Sequence, residues 1–122
     1  MSSLSRILVV EDEILLLLDL VDGLADHGIE AVPVTSARGA ASLLDSDIGA
    51  LVTDIELPGG RDGLQLAHMA ARRRPGLPVV VVSGGVRPTP QQMPPGAAFL
   101  PKPYRLTDIL AALERQIPAR AA

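Results

Sequence analysis

The stretch Arg6-Ile-Leu-Val-Val-Glu11-Asp12-Glu13 decides the fold. Ile7 to Val10 is an unbroken aliphatic run with no polar alternation, the pattern of a strand covered on both faces. Acidic residues follow at once, and a helical stretch then runs to His27, where Gly28 is placed to close it as a left-handed cap. The same alternation repeats along the chain. Ile29 to Val34 reads as a strand, and Pro33 within it argues for a sheet edge. Ser36 caps a small-residue helix expected to reach about Leu44. Ile48 to Thr53 is a third strand, ending at Asp54, and a Pro-Gly-Gly loop leads to a helix over 63–74 that Pro75-Gly76 stops. Leu77 to Val82, Ala97 to Leu100 and an amphipathic helix from Leu106 to Ile117 complete the series. Strand and helix alternate about five times, which predicts an α/β, doubly wound five-stranded parallel sheet.

Composition sets the outer limits. A single chain of 122 residues is the size of one domain, and 48% apolar against 20% charged residues excludes a disordered chain. The net charge of −3 gives no electrostatic reason to expect nucleic acid. With Phe99 and Tyr104 the only aromatic residues, stacking on bases or flavins has little to work with. Apolar runs are cut short by Asp19 and Ser83, so no membrane insertion is expected. The first residues lack a signal-peptide layout, and the expected localisation is cytoplasmic.

In open parallel sheets, ligands gather beyond the carboxyl ends of the strands. Those positions hold Glu11 and Asp12 after the first strand, Asp54 after the third, Ser83 after the fourth and Lys102 after the fifth. Lys102 is the only lysine; the other ten basic residues are arginine. Like charges about 4 Å apart cost ~4 kcal/mol at an effective dielectric of 20, so three clustered carboxylates repel by roughly ten kcal/mol. One lysine does not cancel that. A hard divalent cation does, and Mg2+ takes one or two carboxylates together with waters and a phosphate oxygen. Glu11 and Asp12 also suit the first turn of a helix, and Ser83-Gly84 is ordinary turn chemistry.

From Arg6 to Ile117 the chain resembles the receiver domain of two-component response regulators, with its flavodoxin-like (βα)5 fold. The resemblance is carried by Val-Val-Glu11-Asp12-Glu, Asp54 with Pro58 four positions on, Asp62-Gly63, Ser83-Gly84 and Lys102-Pro103-Tyr104. It implies that Asp54 accepts a phosphoryl group from a phosphohistidine of a sensor histidine kinase or histidine phosphotransfer protein. It implies that Glu11, Asp12, Asp54 and the backbone carbonyl of Glu56 hold Mg2+, with Mn2+ as the alternative. Lys102 would pair with a phosphoryl oxygen, and Ser83 would hydrogen-bond to it. The swing of Ser83 is coupled in the family to an aromatic residue, here Phe99, which lacks a hydroxyl and reports only by burial.

The chain departs from the family pattern in three places. The loop after Asp54 is one residue longer than usual, with two glycines. Glu56 puts a carboxylate two residues past the expected phosphoacceptor, beside the path of attacking water. Between Ser83 and Lys102, Gly84, Gly85, Pro88, Pro90, Pro94, Pro95 and Gly96 leave at most a turn of helix near Gln91 to Met93, so the fourth helix is short or missing. On the first helix, Asp19, Asp22 and Asp26 mark a polar face, Leu17, Leu20, Val21 and Leu24 a buried one. Leu15 and Leu18 then lie toward the rim as a docking patch for a partner helix. Arg72, Arg73 and Arg74 read as surface charge complementing a helix end.

The expectation is therefore one receiver domain over 1–122 with no output domain, not an enzyme beyond its own phosphoryl transfer and autodephosphorylation, acting on a downstream protein through contacts. Met1 and the Ala-Arg-Ala-Ala tail look like natural ends; a piece of a larger hybrid kinase or regulator is the alternative. Other function classes remain beside it: a degenerate receiver that binds without phosphorylation, a small Mg-dependent aspartyl phosphatase, and a flavin or nucleotide carrier. The phosphatase class wants an Asp-x-Asp pair and a cap, and the carrier wants glycine or hydroxyls after the first strand. Neither is present.

Overall fold

The computed structural model describes residues 4–59 and 62–117. Five parallel strands form one sheet: β1 Arg6–Val10, β2 Glu30–Val34, β3 Ala50–Asp54, β4 Val79–Ser83 and β5 Ala98–Pro101, in the order β2-β1-β3-β4-β5. Among the described residues, three α-helices connect successive strands, α1 Ile14–Asp26, α2 Ala37–Ala41 and α3 Asp62–Arg73, and a fourth, α4 Leu106–Glu114, follows β5. The order reverses at β1, whose neighbours are β2 and β3, so the rim beside β1 is the ligand position that this topology prescribes. β2 is an edge strand, as Pro33 required; its inner side pairs with β1, Pro33 opposite Val9.

Strand side chains alternate between two separate cores. Leu8, Val10, Leu51, Val79 and Val81 pack with Ala40, Leu44, Leu66 and Ala70 on the α2–α3 side. Ile7, Val9, Ala50, Val52, Val80 and Val82 pack with Leu17, Leu20, Leu24, Ile109 and Leu113 on the other. This two-sided burial is why the central strands read as continuous apolar runs. Each fully buried Leu, Ile or Val contributes about 1.5–3 kcal/mol against remaining exposed.

Local signals explain most element ends. Gly28 has φ 72°, the left-handed cap that stops α1. Ser36 caps α2 by accepting from the Gly39 amide at 3.1 Å. The proline-rich stretch holds a single 3-10 turn, Pro90–Gln92, where a fourth helix would otherwise stand. The Thr89 amide donates to Gln92 Oε1 at 2.8 Å, and His68 Nε2 on α3 contacts the Gln92 carbonyl at 2.8 Å.

Four expectations need correction. α2 ends at Ala41 rather than near Leu44. The Ser42 and Ser46 hydroxyls bond back to the carbonyls of Gly39 and Leu43, which competes with helix continuation. The carbonyls of Leu44, Ser46 and Ile48 are instead taken by the Arg74 guanidinium at 3.0, 3.2 and 2.9 Å. Arg74 is thus a structural clamp on the α2–β3 connection, and Arg73 joins it through the Ala41 carbonyl and Asp45. α4 stops at Glu114, short of Ile117, where the Gln116 amide turns to bond both the N–H and C=O of Val79 at 2.8 Å. On α1, Leu17, Leu20 and Leu24 are buried, but Val21 is only half-buried. The lengthened glycine loop includes residues 60 and 61, and the C-terminal tail covers 118–122; both lie outside the described residues.

Candidate functional site

Parallel pairing in register brings the ends of β1, β3, β4 and β5 to one rim. Glu11 leaves β1 with its amide bonded to the Val34 carbonyl at 3.0 Å, and its Oε2 accepts from the Glu13 amide at 3.2 Å. The carboxylate therefore serves the start of α1 as well as facing the rim. Asp54 is the last residue of β3 and is buried, as Glu11 is. Its Oδ1 accepts from the Glu56 amide at 3.1 Å.

Asp54 is seated against α3 by the absence of a side chain at Gly63. The Gly63 amide donates to the Ile55 carbonyl at 3.2 Å. A Cβ at this position would collide with the Asp54 carbonyl oxygen and stand 2.7 Å from Ile55 Cα. That close approach is the physical content of the Asp62-Gly63 pair.

Lys102, brought in by β5, places Nζ 2.8 Å from Asp54 Oδ2 and 2.8 Å from Glu11 Oε1, with 17% of its side chain exposed. Burial alone would lower its pKa, but the two carboxylates reverse that and raise it above the usual lysine range. Burial also raises the Glu11 carboxyl, against the lowering effect of Lys102, while nearby Asp54 adds to the rise. Carboxylate oxygens of Glu11, Asp12 and Asp54 all lie within 4.8 Å of one another. One ammonium among three carboxylates leaves an excess of negative charge in a small volume of oxygen donors. That donor set fits a hard divalent cation such as Mg2+.

Ser83 and Glu56 form a second cluster beside the first. Ser83 Oγ donates to Glu56 Oε1 at 2.8 Å and accepts from the amides of Gly85 at 3.2 Å and Val86 at 2.9 Å. Glu56 Oε1 also accepts from the Gly85 amide at 3.3 Å. The Ser83 bond is the main reason that the Glu56 carboxyl lies below its usual range. Phe99 is half-buried within β5 against the α2–α3 core, with the Arg87 guanidinium 5.7 Å from its ring centroid.

Sequence reasoning located Glu11, Asp12, Asp54, Ser83 and Lys102 at the rim. It missed the Glu56 side chain as a partner of Ser83. No residue signals that bond: a Cβ at Gly85 would stand 3.4 Å from Glu56 Oε1, an ordinary contact distance. Tyr104, singled out in the sequence only as part of Lys102-Pro103-Tyr104 and given no role, is half-buried and lines a groove of about 440 Å³ with Leu16, Leu20, Lys102 and Leu106. Leu15 and Leu18 are exposed to 79% and 53%, as expected, and Ile14 joins them at 54%.

The model of the response regulator receiver domain matches residues 7–114, and the chain belongs to that family. It is 33% identical over 108 residues to a response regulator receiver protein of Anaeromyxobacter sp. strain Fw109-5, covering 87% of this chain and 43% of that one. It is 36% identical over 115 residues to the response regulator protein FleR of Pseudomonas aeruginosa, covering 91% of this chain and 24% of FleR. The chain thus spans less than half the length of these curated relatives. Among solved structures, a response regulator receiver protein from Sinorhizobium medicae superposes with a TM-score of 0.85 at 31% identity, over 91% of this chain and 92% of that one. The non-phosphorylated HemR receiver domain from Leptospira biflexa gives 0.76 at 26% identity, over 96% and 97%. Among the described residues, no helix is long and apolar enough to cross a membrane.

Proposed function

We propose that the chain is a phosphoaccepting receiver. The Asp54 carboxylate attacks the phosphorus of a phosphohistidine on a sensor histidine kinase or phosphotransfer protein. The P–N bond breaks, and the electron pair leaves with the imidazole. The observation that carries this reading is the pairing of Lys102 Nζ with both Asp54 and Glu11 at 2.8 Å, inside a cluster of three carboxylates. Lys102 holds the Asp54 carboxylate in place and is positioned to take a phosphoryl oxygen as charge moves off the carboxylate. Glu11, Asp12, Asp54 and the Glu56 carbonyl would hold Mg2+, which supplies charge neutralisation and orientation for in-line transfer. Ser83 is the second hydrogen-bond donor for the phosphoryl group, and Phe99, packed in the adjacent strand, registers its movement by burial.

Output in this reading is a protein contact, with 1–122 as one receiver domain. The exposed Ile14, Leu15 and Leu18 lie on the helix that follows Glu11-Asp12, and form the docking face for the phosphohistidine donor. The proline-rich turn replaces a helix on the opposite side of the rim, so the downstream partner meets a loop surface there.

The test is intact mass after incubation with Mg2+ and acetyl phosphate. One phosphoryl adduct that requires Mg2+ and is absent in Asp54→Asn is the expected result. A folded protein that gains no adduct from acetyl phosphate or from any phosphohistidine donor overturns the reading in favour of a phosphorylation-independent binding module.

A further inference from the structure

Ser83 has one hydroxyl proton and two lone pairs. In this structure all three are committed: the proton to Glu56 Oε1, the lone pairs to the amides of Gly85 and Val86. Such a hydroxyl is not idle. To donate to a phosphoryl oxygen on Asp54, it must first give up a charge-assisted bond to a carboxylate, the stronger kind of hydrogen bond. Glu56 reaches this position because its own amide is fixed on Asp54 Oδ1, two residues back. The Gly85 amide donates a further bond to the carboxylate. Resting on the phosphoacceptor reading above, we propose that Glu56 is a positioning residue, a latch that holds the Ser83 hydroxyl away from the phosphoryl site. It sets how much phosphoryl binding is needed before the serine moves.

The same bonds tie the latch to the segment that replaces the fourth helix. Gly85 and Val86 are the first residues of that segment to be anchored, and both are anchored on Ser83 Oγ. When the hydroxyl turns to the phosphoryl group, Glu56 loses the Ser83 donor, the Val86 amide loses its acceptor, and the Gly85 amide is left with only its bond to Glu56 Oε1. Release of the latch is therefore also release of the root of the proline-rich loop. The loop needs no helix to receive the signal, because its attachment point is the switch residue itself.

A double-mutant cycle tests this, using beryllofluoride as a stable phosphoryl mimic in the presence of Mg2+, with binding followed by fluorine NMR. Glu56→Ala should bind beryllofluoride about tenfold more tightly than wild type, and Glu56→Gln, which keeps a neutral acceptor, about threefold. Both gains should vanish in a Ser83→Ala background. A gain of the same size without the Ser83 hydroxyl would show that Glu56 acts only by charge repulsion and would overturn the latch, as would no gain in either variant. A second readout is independent of the variants: beryllofluoride should strip hydrogen-exchange protection from the Val86 amide of the wild-type protein, whose acceptor is Ser83 Oγ. Retained protection in the loaded protein overturns the proposal. A folded wild-type protein that takes no beryllofluoride at all overturns the phosphoacceptor reading, and the latch with it.

Discussion

Lys102 and Ser83 stand at the ends of adjacent strands, with Ser83 directly opposite Pro101 in the β4–β5 ladder. They are held in opposite ways. The lysine sits between two buried carboxylates at 2.8 Å each and has little solvent around it. The serine is bound to one carboxylate that belongs to an exposed residue, with its remaining contacts made to the start of a loop. A charge enclosed by two opposite charges is costly to move, because displacing it leaves buried carboxylates uncompensated. A hydroxyl on an exposed acceptor moves at the cost of one or two hydrogen bonds, each worth about 1 kcal/mol net. The two neighbours divide the work accordingly: one fixes the acceptor, the other responds to what is put on it.

The largest expected effect comes from breaking the fixed half. Lys102→Ala should slow phosphorylation by acetyl phosphate by roughly 100-fold or more, the usual loss when an aligned donor to developing charge is removed. The check is the rate of adduct formation by mass. Gly63→Ala attacks the same half through the backbone, by forcing α3 away from Asp54. Such overpacking costs about 1–3 kcal/mol, read in a urea melt, and adduct formation should fall with it.

Magnesium sharpens the comparison. At ten times its dissociation constant it should stabilise the protein by about 1.4 kcal/mol. Asp12→Asn should remove that gain, and should raise the melting point of the metal-free protein slightly by relieving repulsion, since Asp12 makes neither of the Lys102 pairs. Glu11 supplies a pH dependence of defined sign. Its pKa is raised in the fold, so the native state binds its proton more readily than the unfolded chain. That contribution is fully present below the ordinary carboxylate pKa and is lost as pH rises through the raised value. Glu11→Gln should erase that segment of the metal-free stability curve.

The smallest effect on the site itself is expected at the docking face. Leu15→Ser should leave stability within about 0.5 kcal/mol and leave acetyl phosphate labelling unchanged, because the side chain is largely exposed. Transfer from a phosphohistidine protein should be the only step that weakens.

The fixed half was also the more legible one. Glu11, Asp12, Asp54 and Lys102 each follow an apolar run, so the strand pattern alone delivers them to one rim. The responsive half was not legible in the same way, because the Ser83–Glu56 bond joins the end of β4 to the β3–α3 connection and leaves no trace in either local pattern. Arg74 shows the same limit elsewhere. Local propensity sees a charged helix end, while its fork of donors fits three carbonyls about thirty residues earlier in the chain. Strand ends came within a residue or two, since apolar patterning marks burial better than it marks the last ladder bond.

The side chain of Tyr104 gives the molecule an optical property that follows from its place in the fold. It is the chain's single tyrosine, there is no tryptophan, and its ring lines the groove beside Lys102. All phenol emission and the tyrosine part of the near-ultraviolet dichroism therefore originate at the rim. Any cation or anion that settles among Glu11, Asp54 and Lys102 changes the field on that one chromophore, and the protein carries its own reporter without a label.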